Sequence, residues 1–313
     1  MPTPESKVPE GVKVPIILLA GASGYVGGRL LPLLERQPVA LRCLARNPDK
    51  LRPLVKDSTQ VVKGDVLDPG SLDGALQAVH TAYYLVHLMS GSKDFEKEDR
   101  QAATNFAQAA KKAGVQRIIY LGGLGDDADP KLSPHLRSRH EVGLILRKSG
   151  VETVEFRASL VIGTGSLSFD LVKSLTDRLP VMLCPRWLTT PTQPVAVDDV
   201  LAYLMAAKDM PPGGSRTFEI GCPDVTTYGG MIREYARQKG LRRWLISVPV
   251  LTPYLSSLWL ALVTPAAFEI GRHLIEGLKN PTMVRDTTAL EVFPVSPMGI
   301  REAIQKALTS SRP

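Results

Sequence analysis

The residues best suited by type and spacing to do chemistry come early in the chain. Gly21, Gly24 and Gly27, spaced G-x-x-G-x-x-G, lie between an apolar run over residues 14–20 and a helical pattern that begins near Tyr25. Such a run, bounded by Pro15 and by glycine, reads as a buried parallel strand, so the unit is strand, turn and helix. The first glycine permits a sharp reversal, the second lets backbone N–H groups approach a pyrophosphate, and the third lets the helix press onto the sheet. Phosphates would sit at the positive helix N-terminus, where N–H groups are unpaired. Gly21, Ser23, Gly24, Tyr25, Val26 and Gly27 are therefore candidates for a dinucleotide cradle, with an ordinary Gly-rich turn as the alternative.

A second strand over residues 39–45 ends on Arg46, and no carboxylate follows until Asp49. An acidic residue near this position holds the ribose 2′-hydroxyl of NAD, whereas an arginine favours the 2′-phosphate of NADP. The pattern predicts NADPH over NADH, unless Arg46 only caps the loop. A third strand over 61–66 would bring Asp65 and Val66 beside the adenine. A fourth over 81–87 ends on His87, which would reach the nicotinamide half or serve the strand end structurally.

The elements that must position these residues alternate regularly. An amphipathic helix spans 95–113 and stops at Gly114, a fifth strand covers 117–121, a helix 135–149 and a strand 155–162. Unbroken alternation argues an α/β fold, a Rossmann-type doubly wound parallel sheet covered on both faces. Beyond Gly165 the alternation loosens and prolines accumulate at 180, 185, 191 and 194. The expected organisation is a flexible tail over 1–13, a nucleotide domain over 14–165 and a smaller substrate or partner domain over 166–313. Within the latter, 195–221 is expected to pack back on the first.

At 313 residues the chain is long enough for that pair of domains. The net charge of +7 comes without a long Lys/Arg run, which suits anionic ligands or an anionic membrane surface and carries no nucleic-acid signature. Cys43, Cys184 and Cys222 are odd in number and far apart, so they read as buried reduced thiols of a cytoplasmic protein, with no metal-ligand spacing. The first residues lack the apolar core of a signal peptide. Residues 244–268, opening on Trp244, contain no charged side chain, but Pro249, Pro253 and Pro265 argue against a membrane-spanning helix. That stretch reads as core, as the lining of a substrate pocket, or as an apolar face meeting a membrane or a partner.

The turn Gly21-Ala-Ser-Gly24-Tyr-Val-Gly27, the segment Cys43-Leu-Ala-Arg46-Asn-Pro, Gly64-Asp65-Val66, Tyr84-Leu-Val-His87 and Pro194-Val-Ala-Val-Asp198-Asp199-Val200 together resemble an atypical extended short-chain dehydrogenase/reductase. The same set is similar to NmrA-like NAD(P)H-binding proteins and to the nucleotide-binding accessory subunit of respiratory complex I. The resemblance covers the chain from Val14 to about Arg243. It implies a Tyr-x-x-x-Lys pair on the helix after the fifth strand, and here the matching positions are His135 and Arg139. The family's serine falls on Gly122 or Gly123. Asn105 matches the helix asparagine that organises a proton relay.

The resemblance thus implies His135 as proton donor in place of tyrosine, since imidazole titrates near neutrality, and Arg139 as the cation on the nicotinamide ribose. Two function classes follow. One is an NADP(H)-dependent oxidoreductase acting on a small hydrophobic carbonyl or enone-like substrate, an isomerase being its near relative. The other is a non-catalytic NADPH-binding redox sensor or assembly scaffold, cytoplasmic or membrane-associated, which the missing tyrosine and serine favour.

Overall fold

The computed structural model describes residues 14–88, 94–184, 186–247 and 278–310. The tail expected over 1–13, and residues 248–268 of the uncharged stretch, lie outside the described residues.

In chain order the main strands are β1 (Ile16–Ala20), β2 (Ala40–Ala45), β3 (Gln60–Lys63), β4 (Val79–Tyr84), β5 (Arg117–Gly123) and β6 (Glu152–Ala158), joined by an edge strand Arg216–Ile220. They form one seven-stranded sheet in the spatial order edge strand, β6, β5, β4, β1, β2, β3, and every pairing is parallel. The helices are α1 (Tyr25–Leu34), α2 (Pro48–Leu51), α3 (Leu72–Leu76), α4 (Phe95–Lys112), α5 (Pro134–Lys148), α6 (Leu167–Arg178), α7 (Val197–Ala207) and α8 (Tyr228–Gln238), followed by a C-terminal helix Ile300–Thr309. This is the Rossmann-type doubly wound α/β architecture.

The period-two alternation of a strand explains how one apolar run serves two faces. Ile17 and Leu19 of β1 join Tyr83, Ile119, Val154 and Phe156 in a core covered by α1 and α7. Leu18 and Ala20 join Tyr84, Ile118 and Tyr120 in the opposite core, under α3, α4 and α5. A row of buried alanines on α4, at 102, 103, 107, 109 and 110, lets that helix lie close to the sheet, and Phe106 fills the remaining space against Tyr84 at a ring separation of 4.8 Å. A third core gathers Leu160, Phe169, Trp187, Tyr228 and Tyr235 between α6, α8 and the C-terminal helix.

Strand ends differ from the sequence expectation. Leu85 N–H still reaches Ala20 C=O at 2.9 Å, but β1 then turns away at Gly21 and offers nothing further on that side, while β5 runs on to Gly123 on the other. The fourth strand stops at Tyr84, and residues 85–88 follow as loop. Likewise Gly64, Asp65 and Val66 follow β3 as loop. Residues 161–162, expected to continue the sixth strand, pair instead with Val195–Ala196 in a small separate ladder.

The described start of the uncharged stretch is a short strand, Trp244–Ser247, paired with Val181–Cys184. Trp244 is 69% and Ile246 49% exposed there, while Leu245 between them packs against the third core. No helix among the described residues is long and apolar enough to cross a membrane. The three cysteines are buried and unpaired.

Between β6 and α5 lies a buried ionic cluster. Glu155, with no exposed side-chain surface, accepts from Arg157 Nε at 2.9 Å and meets Arg147, while Arg157 Nη1 also donates to Asp127 at 2.8 Å. Helix α5 crosses directly over the carboxylate at Gly143, where a Cβ would lie 2.5 Å from either oxygen. Removing one partner of such a cluster leaves uncompensated charge. Glu155→Leu is expected to cost about 3–5 kcal/mol, read as a lower urea midpoint, because Arg157 and Arg147 stay buried. An unchanged midpoint would show that the two cations reach water.

Candidate active site

The cradle begins at Gly21, whose φ of +96° belongs to glycine and whose Cβ, if present, would sit 2.5 Å from the Leu85 carbonyl oxygen. Gly24 N–H closes the turn on Gly21 C=O at 2.9 Å. At Gly27 a Cβ would fall 2.1 Å from the Gly21 oxygen, so only glycine lets α1 start this close to the strand end. Gly24 is the N-cap of α1 and contributes no side-chain cap, and no acidic residue lies in the first turn. The first N–H groups of α1 are thereby left to an anion.

This turn forms one wall of a cleft of about 820 Å³. The cleft brings together Gly21, Ser23, Gly24, Tyr25, Val26, Gly27, Arg46, Asp65, Val66, His87 and Arg139. Its size, the glycine cradle and the uncapped helix end suit a dinucleotide. Burial pushes the Tyr25 phenol up to about 12 against the opposing effect of Arg29, whose guanidinium lies 4.2 Å from the ring centre. Asn47 and Lys50 also line the Arg46 end. Sequence reasoning passed over them, although Asn47-Pro48-Asp49-Lys50 sits directly behind Arg46 and Pro48 at the start of α2 folds it back toward the cleft. Asp49, the first carboxylate after β2, pairs with Arg52 at 3.0 Å and is not among the lining residues.

Asn105 requires a correction. Its side chain is buried, donates to Val66 C=O at 3.0 Å and accepts from Gln101 at 2.7 Å. It lines neither this cleft nor the cavity beyond. The physical reason is that the amide is spent pinning the loop after β3, which makes Asn105 a support for the adenine side instead of a relay beside His135.

A second cavity of about 270 Å³ adjoins the cleft, and among the described residues His87, Leu121 and Arg139 border both. Arg139 is buried against the sheet end: Nη1 donates to Val86 C=O at 3.4 Å, Nη2 donates to Leu121 C=O, and the guanidinium lies 4.8 Å from the Tyr120 ring centre. It therefore ties together the ends of β4 and β5. His135 lines the second cavity alone, with its ring centre 5.0 Å from that of His87. Apolar side chains, including Leu124, Leu136, Leu160 and Leu278, form most of the walls.

Gly122 and Gly123 lack room for a hydroxyl side chain. A Cβ at Gly123 would meet Leu136 at 2.8 Å, and one at Gly122 would meet Glu155 and Tyr120 at 3.1 Å. The far wall carries the hydroxyls of Ser159 and Thr282, backed by the fully buried Thr192. Ser159 lies 2.8 Å from Thr192 and 2.6 Å from Thr282, which are 2.9 Å apart. Thr282 arrives with a late segment of chain anchored by Asn280, which accepts from Ser133 N–H and donates to Asp129 and to Lys131 C=O, each at 3.0 Å.

His87 has a partner of its own. Nδ1 lies 3.4 Å from Oδ2 of Asp99, a carboxylate whose side chain is 3% exposed. The Asp99 oxygens also accept from Leu88 N–H at 3.1 Å and from Ser138 Oγ at 2.9 Å. Burial alone would raise this carboxyl, but His87, Arg139 and Ser138 hold it below the usual range. Burial and then Arg139 push the His87 imidazole below its ordinary value, against the pull of Asp99.

Residues 21–159 match the model of a family described as NAD(P)H-binding. An NAD(P)H azoreductase of Xenophilus azovorans is 27% identical over 114 residues, 36% of this chain and 37% of that protein. The mitochondrial NADH dehydrogenase [ubiquinone] 1 alpha subcomplex subunit 9 of Arabidopsis thaliana is 28% identical over 234 residues, 69% of this chain and 58% of that one. The chain thus spans between about a third and three fifths of the length of these two relatives. In fold, it is similar to the Citrobacter sp. triphenylmethane reductase solved with NADP(H), with a TM-score of 0.73 at 17% identity, covering 93% of this chain and 99% of that one. The resemblance drawn from the motifs, including that to the complex I subunit, agrees with these matches.

Two substitutions test the cleft. Arg46→Ala is expected to weaken NADPH binding roughly 10- to 100-fold, the worth of a charged hydrogen-bond partner, and to leave NADH binding unchanged. An equal loss for both nucleotides would give Arg46 a loop-capping part instead. Gly27→Ala is expected to abolish binding of either nucleotide and to lower stability by about 1–3 kcal/mol, measured by titration and thermal melting, because a methyl group meets backbone there.

Proposed function

With residues 21–159 belonging to the NAD(P)H-binding family as the premise, we propose that the chain is an NADP(H)-dependent oxidoreductase that reduces a hydrophobic carbonyl or enone-like compound. The observation that carries this reading is the shared border: His87, Leu121 and Arg139 belong both to the dinucleotide-sized cleft and to the smaller apolar cavity. A cleft meant only to sense a nucleotide has no need of a second chamber opening at its nicotinamide end.

Preference for NADPH is supported by the basic end of the cleft. Arg46 and Lys50 line it, and Asp49 is turned to Arg52. In the bound state the first turn of α1 would hold the pyrophosphate, Arg46 and Lys50 the 2′-phosphate, and Arg139 would keep the ends of β4 and β5 in register beneath the nicotinamide ribose. A reduced nicotinamide, when bound, supplies a hydride. The chain contributes apolar walls that exclude water and a histidine pair, His87 and His135, able to give a proton to the substrate oxygen. Three buried thiols fit a reducing, cytoplasmic compartment.

One observation favours the non-catalytic reading. Gly122 and Gly123 are crowded against Glu155, Tyr120 and Leu136, so the family's serine is absent for packing reasons that need not preserve turnover. Fluorescence titration with NADPH and NADH, followed by a panel of apolar ketones, enones and quinones, separates the two. Binding of NADPH about tenfold or more tighter than NADH, a difference of about 1.4 kcal/mol, with NADPH consumed by some member of the panel, is the expected result. Tight binding with no consumption would make the chain a nucleotide-responsive partner protein.

A further inference from the structure

We propose that His87, oriented by the buried carboxylate of Asp99, is the catalytic acid–base residue of this site, with Ser138 as a positioning residue. The proposal rests on the reading that the cleft holds a nicotinamide nucleotide. It moves the proton-donor role away from His135, the position that stands in for the family's tyrosine.

Location is the first argument. Of the described residues bordering both chambers, Leu121 has an apolar side chain and the Arg139 guanidinium is taken by the Val86 and Leu121 carbonyls, which leaves His87. Its place follows from the backbone: β4 ends at Tyr84, and residue 87 lies three positions beyond, in the loop at the strand end that borders both chambers. His135 borders only the smaller cavity, so it meets a substrate without meeting the nucleotide side.

The second argument is the cost of Asp99. A carboxylate 2% exposed as a residue, in an otherwise alanine-rich helix, is expensive unless its lone pairs are used. Here Leu88 N–H takes a defined direction on Oδ1 and Ser138 Oγ one on Oδ2, and the same Oδ2 lies 3.4 Å from His87 Nδ1. Such a carboxylate keeps the proton of a neutral imidazole on Nδ1 and stabilises the imidazolium. Nε2, on the opposite edge of a side chain that keeps 28% of its surface, is the nitrogen left for substrate. The hydrogen bonds on Asp99 are thus a fixed mount for a ring that must change charge.

The step balances with nothing added. As the carbonyl carbon gains a hydride and the nucleotide is oxidised, the carbonyl π pair moves to oxygen and takes the proton from Nε2 of the imidazolium. His87 is left neutral with its Nδ1 proton held by Asp99, and it regains one proton from water. In the oxidative direction Nε2 takes the hydroxyl proton. The groups facing the ring are Asp99 of α4 and Ser138, Arg139 and His135 of α5. Burial and Arg139 hold its pKa below the ordinary imidazole value while Asp99 pulls it up. Reduction therefore falls as pH rises through that pKa, and oxidation rises through the same pKa to a plateau.

The test compares His87→Asn, Asp99→Asn and His135→Asn in the full chain, with NADPH affinity and melting temperature measured for each. His87→Asn is expected to lower kcat about 100- to 10,000-fold, to abolish the ionisation in the pH profile and to keep NADPH affinity within about threefold. Asp99→Asn is expected to move both limbs of the profile to lower pH, since the anion that raises the imidazole pKa is gone; a role in folding alone would leave the profile in place. His135→Asn is expected to act mainly on KM. Activity of His87→Asn within about threefold of the parent, or loss of the ionisation in His135→Asn instead, overturns the proposal. If the parent turns over nothing in the panel, the reductase reading fails by itself, and nitrogen NMR of labelled histidine decides the remainder. A neutral His87 protonated on Nδ1, with a pKa lowered further by Asp99→Asn, sustains the mounted pair; protonation on Nε2 ends it.

Discussion

The approach of the α1 backbone to the Gly21 carbonyl is the constraint on which the rest depends. A Cβ at Gly27 would be 2.1 Å from that oxygen, and one at Gly21 would be 2.5 Å from Leu85. Because neither exists, β1 can end abruptly and α1 can begin almost in contact with it. Two results follow from one turn: an uncapped helix N-terminus aimed at the cleft, and a β4 that loses β1 as a neighbour after Leu85, just before the segment that carries His87 to the border of two chambers. Backbone sterics at two glycines thus set both where phosphate would sit and where a proton could be passed.

Charge is handled in two different ways at the ends of β5 and β6. Glu155 is neutralised by Arg157 and Arg147 and covered by Gly143, a closed arrangement whose contribution is structural. Asp99 is neutralised by hydrogen bonds and by a titratable ring that also borders the cleft. The contrast separates a buried carboxylate that anchors a helix from one beside a titratable ring at the border of two cavities. Arg139 joins the two regions, its guanidinium taken by the strand-end carbonyls of Val86 and Leu121.

The parallel sheet was legible because apolar strands buried on both faces are near-continuous in sequence, and the glycine turn because its spacing is dictated by backbone contact. The residues gathered around the cleft, from Gly21 to Arg139, follow from those two facts. The pairing of His87 with Asp99 was not legible. It depends on where β4 stops and on one charge of an amphipathic helix pointing inward, which periodicity averages away. The glycines at 122 and 123 announced a missing hydroxyl, but the hydroxyls of Ser159 and Thr282 on the opposite wall, with Thr192 buried behind them, come from three distant segments that only folding assembles. Asn105 misled for a related reason: a motif match gives a residue's position on a helix and says nothing of which carbonyl its amide will find.

The segment carrying Asn280 and Thr282 closes the smaller cavity by gripping residues far earlier in the chain. Among the described residues, by contrast, every strand of the main sheet is complete at Ile220, and those bordering the larger cleft all lie at or before Arg139. During synthesis from the N-terminus the two chambers therefore mature at different times. The emerging chain could then hold a nucleotide while the wall carrying Thr282 is still unmade, so that nucleotide occupancy would precede, and by linkage stabilise, the assembly of the smaller cavity.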